Sequence, residues 1–159
     1  MTTRLSVRGA LLASFVLAAV ACGGTNSPSA AASPSPSPAP VVKTATATVA
    51  GTSKTILVGQ NGMTLYYYLP DKGGKITCTG PCLVNWPALL APSGQTSVSG
   101  TSDITGKFTL LTNTEANGQQ VLYNNWPLYY WVKDKQPGDT TGEGVGGKWH
   151  VATPGLAAG

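Results

Sequence analysis

A duplication limits this fold more than any other feature of the chain. "LYYYLPDK" at 65–72 returns as "LYYWVKDK" at 128–135. Leu65, Tyr66, Tyr67, Asp71, Lys72 and Trp86 meet Leu128, Tyr129, Tyr130, Asp134, Lys135 and Trp149 without a gap, while Tyr68 meets Trp131. An ungapped match of aromatics, acid and distant tryptophan marks a repeated structural unit of strand, acidic turn, loop and tryptophan. Repeat 1 covers about 54–91 and repeat 2 about 117–154. Two such units packed about a pseudo-twofold axis would bury aromatic faces that neither could bury alone.

The segments between these motifs read as strands and turns. Thr55–Val58 and Thr64–Leu69 flank Gln-Asn-Gly, and "KFTLLTN" and "QQVLYN" flank Glu-Ala-Asn-Gly, two hairpin signals because Asn and Gly tolerate positive φ. Asn-Asn-Trp-Pro turns the chain into "LYYWVKD", and "KWHVAT" makes a last short strand. Only 10% of residues are charged, too few for long salt-bridged helices. The expectation is an all-β domain, a small antiparallel sandwich or barrel-like structure built from two pseudo-symmetric repeats.

The N-terminal third reads as an address and a spacer. Arg4 and Arg8, then "GALLASFVLAAVA", then Cys22 form a positive region, an apolar stretch too short to span a bilayer, and a lipoprotein-type cleavage site. Residues 1–21 are expected to be a signal peptide and Cys22 the acylated N-terminus of a membrane-anchored chain; simple secretion with a free Cys22 thiol is the other reading. The Ser-Pro repetition that follows cannot bury apolar area, so 22–51 is expected to be a tether and 52–156 the folded domain. Removing Arg4 and Arg8 takes the net charge from +4 to +2 and leaves scattered lysines and no arginine, which excludes a nucleic-acid partner.

The pattern Tyr66-Tyr67-Tyr68-Leu69-Pro70-Asp71 and Tyr129-Tyr130-Trp131-Val132-Lys133-Asp134 resembles the bacterial lipoproteins that carry a secreted repeat of unknown function, whose signature is Tyr-x-(Phe/Trp/Tyr)-x-x-Asp. The resemblance extends through "CTGPCLVNWPALL" and "PGDTTGEGVGGKWHV" and covers nearly the whole folded domain. It implies a surface lipoprotein and no particular activity.

Several residues invite chemistry. Cys78 and Cys82 form an even pair once Cys22 is lipidated, so a disulfide is expected in an oxidising compartment; the competing reading is copper or redox handling by Cys78, Cys82 and His150. His150, the sole histidine, otherwise packs or makes a structural hydrogen bond. Asp71 and Asp134 could face each other across the axis as an acid pair, but their position at a strand end suits turn capping. Asp139 and Glu143 lie in a Gly-rich loop whose spacing departs from an EF-hand. Strand alternation puts Tyr66, Tyr68, Tyr129 and Trp131 on one face, either buried or offered as a stacking platform for a cell-wall glycan or another envelope protein. No nucleophile elbow or acid-base constellation stands out, so the chain is expected to be a non-enzymatic binding or scaffolding protein without a cofactor.

Overall fold

The computed structural model describes residues 39–159. Among the described residues the strands are antiparallel, and the only α-helix is the short α1, Pro81–Asn85. β1 (Val42–Val49) and β2 (Thr52–Gly59) form a long hairpin, with Ala50 and Gly51 both at positive φ in its two-residue turn. β4 (Phe108–Asn113) and β5 (Gly118–Tyr123) form the second hairpin; β6 (Trp126–Pro127) joins β5 after Asn124 and Asn125, again at positive φ. β3 (Tyr66–Tyr68) pairs with β7 (Trp149–Val151). The result is all-β and sandwich-like, and its strands do not close into a barrel.

The domain begins earlier than the sequence reading puts it. That reading carries the tether to residue 51, but Val42–Val49 is a full strand of the fold, with Val42, Ala47 and Val49 buried. Its Ala and Thr residues give a weak apolar alternation, which the adjoining Ser-Pro run hides. The far end is corrected as well. The Trp126 Nε1–H donates to the Ala157 carbonyl at 3.0 Å and the Gly159 N–H to Asn124 at 2.9 Å, so the fold continues past residue 156. The expected signal peptide, Cys22 and most of the tether lie outside the described residues. Among the described residues, no helix is long and apolar enough to cross a membrane.

The two repeats interlock rather than stack. The Leu57 N–H donates to Ala152 at 2.8 Å and the Ala152 N–H to Leu65 at 2.8 Å; in the second half, Val121 donates to Leu89 at 2.8 Å and Leu89 to Leu128 at 2.9 Å. Each repeat's closing segment thus completes the sheet of the other. At the centre Tyr66 and Tyr129 exchange both backbone bonds, at 2.8 and 2.9 Å, as two strands crossing a twofold axis would.

Alternation along these strands feeds two cores. Tyr66, Tyr129 and Trp131 enter one with Trp86, Trp149 and Cys78; Leu65 and Leu128 enter the other with Leu57, Val121 and Tyr123. Both faces of the repeat strands are therefore covered. Burial of each large apolar side chain contributes about 1.5–3 kcal/mol.

Candidate functional site

The signature residues meet at the pseudo-twofold axis. The Tyr66 hydroxyl donates to Asp134 Oδ2 at 2.6 Å, and the Tyr129 hydroxyl donates to Asp71 Oδ2, also at 2.6 Å. Each tyrosine reaches the acid of the other repeat. The second oxygen of each carboxylate closes its own loop: Asp71 Oδ1 accepts from the backbone N–H and hydroxyl of Thr77, and Asp134 Oδ1 from those of Thr141. All four side chains are buried, and each carboxylate is held by hydrogen bonds at both oxygens. Burial first, and then the bond to the partner carboxylate, pushes both phenols well above the ordinary tyrosine range.

Beside this crossing runs a ladder of four stacked rings. Tyr68 stacks on Trp149 at 4.3 Å, Trp149 on Trp86 at 3.8 Å with 2° between planes, and Trp86 on Trp131 at 4.0 Å. Tyr66 meets the Trp86 ring edge-on at 5.4 Å and Tyr129 meets Trp149 at 5.2 Å, both favourable quadrupole geometries. Of the two readings open for Tyr66, Tyr68, Tyr129 and Trp131, the exposed stacking platform is the one that the packing contradicts. Tyr66 and Tyr129 are fully buried, Trp131 is buried, and Tyr68 is only half-buried, because each ring is used by the opposite repeat. Asp71 and Asp134 close their own loops through Thr77 and Thr141 and bond the crossing tyrosines rather than each other.

The copper or redox set does not assemble. Cys78 and Cys82 form a disulfide, S–S 2.01 Å, and leave no thiolate for a metal. Cys82 lies on α1 and both cysteines pack in the tryptophan core. His150 lies on β7, with Nδ1 2.9 Å from Glu143 Oε1 and its ring 5.7 Å from that of Tyr67. Among the described residues, no three His, Cys, Asp or Glu side chains group as metal ligands. Glu143 also accepts from the Val151 N–H at 2.7 Å, while Asp139 Oδ2 caps the turn at Lys135 and Gln136; the two acids of the Gly-rich loop serve separate local bonds.

Among the clefts of the described residues, two differ sharply in lining. One, of about 390 Å³, is apolar: Leu83, Val84, Pro87, Ala88 and Leu90 line it, with Glu115 at one side. The other, of about 210 Å³, contains Lys54, Tyr67, Glu143, His150 and Thr153. Burial, then the Glu143 charge, raises the Tyr67 phenol. Sequence reasoning missed both clefts. Lys54 stands far from Glu143 and His150 along the chain, and only the pairing of β3 with β7 brings Tyr67 beside His150.

A family model described as a secreted repeat of unknown function matches twice, over 47–90 and 111–153. The chain belongs to this family of secreted repeats. The two matches start at corresponding points of the two hairpins and end at Leu90 and Thr153, so each spans hairpin, signature and closing segment. Membership places the protein outside the cytoplasm, in the envelope or beyond it. No curated protein and no solved structure matches the chain. In this secreted repeat, the Tyr and Asp of each signature form the lock between copies.

Proposed function

We propose that this secreted repeat protein is a non-enzymatic binding module of the cell envelope, held on the extracytoplasmic face of the membrane by a lipid on Cys22. One observation carries the reading: the residues that define the repeat are consumed internally. Both tyrosine hydroxyls and all four carboxylate oxygens have partners within the fold, so none is free to act as nucleophile, acid or base on a substrate. What a ligand meets instead is the outer surface of the domain, which includes two clefts of dissimilar lining. Cell-wall material or another envelope protein is the partner that the address and the Ser-Pro tether favour.

Anchoring is tested by fractionation. Cys22→Ala should move the full-length protein from the membrane to the soluble fraction, and a variant that stays membrane-bound removes the lipid anchor from the account. Binding is tested by cosedimentation of the folded domain with purified cell-wall sacculi. Recovery wholly in the supernatant counts against cell wall as the partner.

A further inference from the structure

The repeats keep the same residues where they lock and different residues where they open. Pro87 and Leu90 of the apolar cleft occupy the repeat positions that carry His150 and Thr153 in the other. The same place in the unit is greasy in one copy and built from titratable side chains in the other. Packing needs do not require that difference, since the tyrosines, acids and tryptophans beneath it match.

We propose that the cleft of the second repeat binds a small carboxylate through Lys54 and His150, with Glu143 as the positioning residue. Glu143 spends one oxygen on His150 Nδ1 and the other on the Val151 N–H, so its carboxylate is turned toward β7. That bond places the ring proton on Nδ1 and leaves Nε2 as the nitrogen available to a ligand. Among the described residues, His150–Glu143 is the one acid–base side-chain pair within salt-bridge distance and Lys54 has no acid partner, so the Lys54 ammonium on β2 brings an uncommitted positive charge. Both His150 and Glu143 are about a quarter to a third exposed, enough for access and dry enough to strengthen a charged bond.

The ligand must supply acceptor atoms and negative charge. Two donors match the two oxygens of a carboxylate; phosphate is better served by arginine forks or rows of backbone N–H groups, and this cleft has no arginine. Val49, Val151 and Leu156 form apolar wall for the carbon that bears the carboxylate. Nε2 donates to a carboxylate only when it carries a proton, so a carboxylate seated there draws a proton from solvent onto the ring, which then bridges two carboxylates. The charged and titratable groups lining the cleft around that ring are Glu143, Lys54 and Tyr67.

The inference deepens the binding role proposed above, and it can fail separately: sacculus cosedimentation reads the whole surface, whereas the following titration reads one ring. His150 is the single histidine, so in untagged protein its imidazole resonances are unambiguous. Titration with an N-acetylated dipeptide acid should shift them saturably, with proton uptake seen by calorimetry in buffers of different ionisation enthalpy. The dipeptide amide should leave them in place. Lys54→Met and His150→Gln should each weaken binding about tenfold, the loss expected for one charge-assisted bond. Lys54 is exposed, so its variant keeps the fold and tests the site even where the His150 variant does not. Acetate binding as well as the dipeptide identifies a free organic acid as the ligand, and dipeptide binding alone identifies a peptide terminus; either upholds the site. Unmoved His150 resonances at millimolar ligand, or equal response to the amide or to inorganic phosphate, overturn it.

Discussion

Tyr66 and Asp134 belong to different repeats, yet the phenol of one donates to the carboxylate of the other at 2.6 Å, out of contact with solvent. Phenylalanine fills the same space without the donor and strands a buried carboxylate oxygen. A hydrogen bond to a charged acceptor is worth about 1.5–3 kcal/mol. Tyr66→Phe should destabilise the domain by that amount, and Tyr129→Phe should do so through Asp71. Urea denaturation of both variants measures it; unchanged midpoints would mean that the crossing bonds contribute nothing.

Alkali should unfold the protein through the same two groups. Their folded pKa values are raised, so the folded state keeps protons that the unfolded chain gives up above about pH 10. Their contribution is fully present below that point and falls as pH rises beyond it. For the two phenols together the slope is about 2.7 kcal/mol per pH unit. Denaturation midpoints followed from pH 8 to 11 should fall steeply above pH 10, and the Tyr66→Phe, Tyr129→Phe double variant should show a shallower fall.

Residues 39–100 and 101–159, made separately, should each fail to fold and should recover native circular dichroism when mixed. Each half lacks the segment that fills its sheet: Ala152 for Leu57 and Leu65, Leu89 for Val121 and Leu128. Cooperative unfolding by either half alone would contradict the interlock.

Gly142 sits where a Cβ would lie 2.7 Å from the Tyr66 ring and 2.9 Å from Trp86. Gly142→Ala should cost about 1–3 kcal/mol by overpacking. Gly155 has open space around its Cβ position and is the control, so Gly155→Ala should leave the thermal midpoint unchanged.

The repeat, the second hairpin and the alternation of Tyr66 against Tyr67 were legible because each is written in neighbouring residues. What pairs with what was not. "KTILVGQNGMTLYYY" reads as a simple hairpin, and the turn does form, with Val58 bridging Thr64, but Tyr66–Tyr68 then leaves β2 for β7. The partner of each acid was hidden for a different reason. Thr77 follows Asp71 by six residues and Thr141 follows Asp134 by seven, so an ungapped comparison sets Thr77 against Thr140. The disulfide was readable from cysteine count and compartment alone. The polar cleft was not, since its lysine and its histidine come from opposite ends of the domain.

The bond between Leu57 and Ala152 has a consequence for how such a chain is made. A polypeptide delivered to the far side of a membrane N-terminus first presents its β1–β2 hairpin long before the residues that close it. Until 149–152 arrive, the Leu57 N–H and the Leu65 carbonyl lack the Ala152 backbone that pairs with both. The same segment from a neighbouring copy carries the same backbone groups, so newly exported chains at high local density can close on one another, and monomer yield becomes a race between the chain's own tail and its neighbour's.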